Sequence, residues 1–139
     1  MFFGACTKYA AIKGPFDGDT INQDFMEYVV DKAEDKLELS EEQRVQFQAV
    51  VLNMLTTALE QRSKTDELRE LTATEMRKAK LDMKKVNELL VCRMKLLRGV
   101  MKSGEDEFLK FHSSLTADQR EALAQLILDH GKNGWHGGH

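Results

Sequence analysis

Three histidines near the C-terminus, His130, His136 and His139, stand with Asp129 where imidazole and carboxylate groups could ligate zinc, copper or nickel. The glycines among them (Gly131, Gly134, Gly137, Gly138) fix no geometry, so a second subunit would complete such a site more readily than one tail alone. The two cysteines, Cys6 and Cys92, do not make a disulfide framework. Cys92 lies two residues before Met94, off the main apolar stripe, and reads as a partly buried free thiol rather than half of a bridge to Cys6 or to its own copy in another subunit. Catalytic patterns are missing: there is no nucleophile elbow, no phosphate loop and no His-Glu-x-x-His pair, and no neighbour in sequence would activate Cys92. The carboxylates are interspersed with lysines at helical spacing, as on a solvated helix surface. The chain is therefore not read as an enzyme, and nothing in it requires a cofactor.

The residues with the clearest pattern are basic. Between Arg77 and Lys102 there are nine Lys or Arg against two acids, Asp82 and Glu88, in a chain whose net charge is -3. At helical spacing Arg77, Lys80, Lys84, Lys95, Arg98 and Lys102 fall on one stripe, broken by Glu88 and Val91. Beside it runs an apolar seam of three- and four-residue steps: Met76, Ala79, Met83, Val86, Leu90, Met94, Leu97, Met101, Gly104, Phe108, Phe111 and Leu115. Periodicity favours Met76, Met83, Met94 and Met101 as core filling, though exposed methionines adapt to many partners. Long basic side chains next to an apolar seam form a mixed surface able to hold acidic or amphipathic segments of other proteins, with Met83 and Met94 as its apolar contacts. Nucleic acid is not the expected partner, because the whole chain is acidic and lacks helix-turn-helix spacing and zinc-finger ligands.

The elements that must position these residues are helical. One proline, Pro15, in 139 residues of which 42% are hydrophobic and 31% charged, argues for long uninterrupted helices around a core. No run of about 18 apolar residues spans a membrane, and the stretch before Cys6 is too short for a signal peptide. Residues 1–19 lack a period and form an irregular arm with a turn at Asp17-Gly18-Asp19. A first helix follows from Thr20 towards Leu37, with Ile21, Phe25, Tyr28, Val29 and Ala33 on one face.

Ser40 and Gln43 form a capping box, with Leu39 as its staple. The helix after it has two apolar stripes, Phe47, Val51, Met54 and Ala58 on one and Val45, Leu52, Leu55 and Leu59 on the other. Both need cover, from two neighbours in the chain or from one neighbour and a second subunit, and the second option leads to a homodimer. Polar residues from Gln61 to Asp66 predict a turn, after which a short helix leads, by way of Thr72 or Thr74, into a spine from Met76 to Leu115 about 60 Å long. Thr116 and Gln119 after Leu115 repeat the capping device, and a last helix carries Leu123, Leu126 and Ile127 to Gly131. Residues 131–139 read as a flexible tail, leaving a helical domain at 20–130.

The two capped starts, Leu39-Ser40-Glu41-Glu42-Gln43 and Leu115-Thr116-Ala117-Asp118-Gln119, with a long basic helix between them, resemble the paired Leu-Thr-x-x-Gln motifs of the Spy/CpxP family of bacterial periplasmic proteins. The first copy has serine for threonine, and the similarity covers about residues 37–130. The resemblance implies an all-α fold of about four to five helices, a long hairpin bent over by flanking helices and paired into a thin, curved dimer. It also implies an ATP-independent chaperone in the periplasm that holds unfolded or aggregating clients during envelope stress, some members also restraining a membrane sensor kinase. ZraP-like members bind zinc and CnrX-like members sense metal, so a metal-resistance or sensor protein is the alternative. No histidine precedes His112, so the CnrX-type ligands of the first helix have no counterpart here, whereas Trp135-His136-Gly137-Gly138-His139 resembles the His-Gly-rich ends of zinc-binding members.

Overall fold

The computed structural model describes residues 14–133, with side chains as far as Gly131. It is all-α apart from one minimal β-hairpin, β1 (Phe16–Asp17) and β2 (Thr20–Ile21), paired antiparallel with Phe16 opposite Ile21. Part of the expected irregular arm is thus ordered. Gly18 takes a left-handed φ of 61° between the strands, and the Thr20 hydroxyl donates to the Asp17 carbonyl at 2.8 Å. Residues 1–13 of that arm, including Cys6, lie outside the described residues, as do His136 and His139 in the tail.

Six helices follow: α1 (Gln23–Leu37), α2 (Glu41–Glu60), α3 (Arg62–Met76), α4 (Met83–Ser103), α5 (Glu105–Ser114) and α6 (Ala117–Asn133). Asn22 starts α1 by accepting from the backbone N–H groups of Asp24 and Phe25, two residues later than Thr20. Glu38, left-handed at φ 53°, ends it. Arg44 then ties α2 to α1 through Asp31 at 2.8 Å and through Glu34. The hydrogen bond to Asp31 is the largest cause of the upward shift in the pKa of the Arg44 guanidinium.

The expected turn at Gln61–Asp66 does not form. The chain continues from α2 into α3 with Gln61 donating to the Thr57 carbonyl and Thr65 donating to the Gln61 carbonyl, both at 3.0 Å. Ser63, Lys64 and Asp66 are the exposed side of a helix whose inner side is Leu68, and no glycine or proline among them forces a break. The expected fresh start at Thr72 or Thr74 also fails, since both lie within α3.

The reversal comes instead at residues 77–82, inside the stretch read as the start of the spine. Arg77 and Lys80 therefore belong to the turn and not to a helical stripe. Asp82 restarts the helix by accepting from the N–H groups of Lys84 and Lys85. The buried carboxylate of Glu75, 3% exposed, spans the turn, accepting from the Asp82 N–H at 3.3 Å and pairing with Lys78 at 2.9 Å. A bend at Gly104 separates α4 from α5.

The pairs along the two arms run in opposite order: Phe47 with Phe111, Asn53 with Ser103, Gln61 beside Gly99, and Glu75 with Asp82. They define an antiparallel hairpin whose arms are roughly 54 Å (41–76) and 48 Å (83–114) long at ~1.5 Å per residue. Its arms approach closely at Gly104, where an added Cβ would stand 2.8 Å from Met54 Cγ. The α2 helix has cover on two sides within the chain, from α1 and from α4 and α5.

The main core is at the base of the hairpin. Leu37, Leu39, Val50, Phe111 and Leu115 are buried together, with Phe47, Met54, Leu123 and Leu126 packed around them. Both expected capping boxes form there. Ser40 and Gln43 exchange backbone-to-side-chain bonds at 2.9 and 3.2 Å, and Thr116 and Gln119 do so at 2.9 and 3.1 Å. The α6 helix runs through Gly131 to Asn133 rather than stopping at the glycine, which a helix tolerates at a cost of ~1 kcal/mol relative to alanine.

Candidate functional site

The two glutamines of the capping boxes do more than cap. Gln43 Nε2 donates to the Ser114 carbonyl at 2.8 Å, the end of α5, while Gln119 Nε2 donates to the Leu37 and Glu38 carbonyls at 3.2 and 3.1 Å, the end of α1. Each glutamine thus serves the start of its own helix and the end of the helix that precedes the other motif. Their amide groups also bond reciprocally at 2.9 Å, joining positions 76 residues apart. Beneath this clasp Leu39 and Leu115 are buried. The signal for it in the sequence was the glutamine at the same place in both motifs. The motif residues Leu39, Ser40, Gln43, Leu115, Thr116 and Gln119 hold the base of the hairpin together.

The surface with capacity to bind lies on the returning arm. The apolar steps of the expected seam divide between two faces. Val86, Gly104 and Phe111 turn towards the other arm, joined there by Leu89, Leu96 and Val100 from outside the seam, whereas Leu90, Met94, Leu97, Met101 and Phe108 are exposed. The exposure is large at the centre: 67% for Met94, 61% for Leu97 and 59% for Met101. Met76 and Met83 are open as well, so none of the four spine methionines fills the core. Leu97 and Met101 follow Leu90 and Met94 at seven-residue intervals, so the four lie along one side of α4. Solvent-exposed apolar residues normally occur singly, and a contiguous row of them marks a contact surface.

Lys84, Lys95, Arg98 and Lys102 are exposed on the same helix, offset around it from the seam, with exposed Val91 in line. Arg77 and Lys80 are also exposed, in the turn at the tip. Lys102 lies in the last turn of α4, where the helix dipole favours a cation. Across this surface the arm offers non-directional apolar contact and positive charge together, but no nucleophile held beside a base. Cys92 is exposed, not partly buried as its position suggested, because it lies off both the seam and the inner face of α4.

Of the expected metal-ligating histidines only His130 lies among the described residues, exposed near the end of α6, with Asp129 beside it accepting from Gln125 Nε2 at 2.9 Å. Among the described residues no group of three or more His, Cys, Asp or Glu is arranged to hold a metal ion, and no helix is long and apolar enough to cross a membrane. Comparisons with family models, with curated proteins and with solved structures find no match to this chain.

Proposed function

We propose that the protein is an ATP-independent chaperone that holds unfolded or aggregation-prone chains on the returning arm of its hairpin. The observation that carries this reading is the exposed row Leu90, Met94, Leu97 and Met101 on a helix that also presents Lys84, Lys95, Arg98 and Lys102. Clients of a general chaperone share no sequence, so the surface must act through forces that need no complementary pattern. Positive charge attracts acidic segments from a distance, and the methionines and leucines then cover apolar side chains of varied shape. Arg77 and Lys80 extend the charged surface to the tip.

The paired capping motifs support placing this activity in the periplasm, within an envelope stress response, through their resemblance to the Spy/CpxP family. The same reading makes the protein a homodimer. Val45 and Leu52, seven residues apart on α2, remain exposed although α1, α4 and α5 pack on other parts of that helix, and a second copy would cover them. Sedimentation that finds only monomer at micromolar concentration removes that part of the proposal.

The test is suppression of aggregation of a chemically unfolded acidic client, followed by light scattering without ATP. Replacing Lys84, Lys95 and Arg98 together by glutamate should preserve helicity and slow client capture at low salt. The difference should shrink as salt rises, since exposed charges are screened within ~8 Å at physiological ionic strength. Equal capture by parent and variant at low salt would remove the charged face from the mechanism.

A further inference from the structure

Between α3 and α4, towards the tip, the arms do not close fully. They leave a groove of about 390 Å³, within the size range of small-ligand sites, ~300–1,000 Å³. Leu68 and Leu89, both buried, are its inner residues, and Ala73, Val86 and Leu90 line it further. Along the helices it extends roughly 10 Å at ~1.5 Å per residue. Its only other lining side chains are Thr72, Arg69 and Arg93.

Because the arms are antiparallel, with Glu75 meeting Asp82 at the tip and Gln61 lying beside Gly99, the lining residues farthest from the tip are Leu68 and Arg69 on α3 and Arg93 on α4. The two arginines thus come to the same end of the groove from opposite walls. Arg69 pairs with Asp66 at 3.0 Å in an exposed contact, while Arg93 has no acidic partner among the described residues.

We infer that this groove binds a single-chain amphiphile with an anionic head, a medium-chain carboxylate, with the head at Arg69 and Arg93 and the hydrocarbon directed towards the tip. Guanidinium groups match the planar geometry of a carboxylate. The walls explain why the tail is a hydrocarbon rather than a peptide. Helical backbone groups already bond within their helices, and the one lining hydroxyl, that of Thr72, donates to the Leu68 carbonyl at 2.7 Å. An extended peptide buried between the arms would leave its own N–H and carbonyl groups without partners, unlike a chain held on the open face of α4 with its backbone in water, whereas an alkyl chain has none to satisfy. The inference needs no client, and it shares only Leu90 with the row that carries the chaperone proposal.

Titration calorimetry of the full chain with decanoate, below its micellar concentration, tests it. One decanoate should bind per chain, and decanol and decyltrimethylammonium should bind at least about tenfold more weakly. Arg93→Gln should weaken decanoate by a similar factor, and Arg69→Gln by less, because Arg69 already has Asp66. Ala73→Trp should fill the groove and abolish binding, with the helical circular dichroism of all variants matched to the parent. Equal binding of the three amphiphiles would overturn the proposal. So would full binding by a folded Ala73→Trp variant, which would put the ligand on the exposed seam, or displacement of decanoate by a short acidic, leucine-rich peptide, which would make the groove a polypeptide site.

Discussion

The base of the hairpin and its returning arm both carry apolar residues at helical spacing, yet they treat them in opposite ways. At the base, Leu39, Phe111 and Leu115 are buried, Phe47 stacks obliquely on Phe111 at 5.2 Å, and the clasp of Gln43 and Gln119 answers the ends of four helices. Along α4 the row from Leu90 to Met101 is left to solvent, while Val86, Leu89, Leu96 and Val100 on the same helix turn towards the other arm. A chain that encloses one apolar cluster this thoroughly has the means to enclose another. Under the proposed function the exposed row is the surface that holds clients, while the base supplies the stability that allows α4 to remain open.

The contrast can be broken at the base with the largest effect. Phe111 is 1% exposed and contacts Phe47 and Phe108, so Phe111→Ala should cost roughly 3–5 kcal/mol in denaturant unfolding. A loss below 1 kcal/mol would mean that the base is not the stabilising region. Breaking the clasp is expected to cost less. Gln43→Ala and Gln119→Ala should each destabilise by about 1–3 kcal/mol by leaving helix-end carbonyls unpaired. Because the amides bond each other, the double variant should lose less than the two single losses together. Strict additivity would show that the two motifs cap independently. Smaller again is Thr116→Ala, which removes only the bond to the Gln119 N–H and should cost ~1 kcal/mol, read as a small fall in melting temperature with client capture unchanged.

How much could be read from the sequence follows the same division. Ser40 with Gln43 and Thr116 with Gln119 are local devices, in which residues three apart determine the outcome, and both formed as their spacing required. The hairpin turn was hidden because Arg77-Lys78-Ala79-Lys80-Leu81-Asp82 contains neither glycine nor proline. The chain reverses there through Glu75, whose bond to the Asp82 N–H is a contact between arms that helical spacing does not reveal. Conversely, the polar run after Gln61 looked like a turn but is one exposed side of a continuing arm. Periodicity also placed Val86 and Met94 on one seam, although one turns inward and the other faces water. Distinguishing them requires the position of the partner helix, and hence the turn.

The most direct test of the open row changes it without touching the base. Met94→Ser, Leu97→Ser and Met101→Ser, made together, alter residues that are at least 59% exposed, so unfolding should shift by no more than ~0.5 kcal/mol per site. Light scattering of an unfolded client, without ATP and at physiological salt where charge attraction is weakened, should then show aggregation close to that of the client alone. A triple variant of unchanged stability that suppresses aggregation as fully as the parent would contradict the account, because the clients would be held elsewhere.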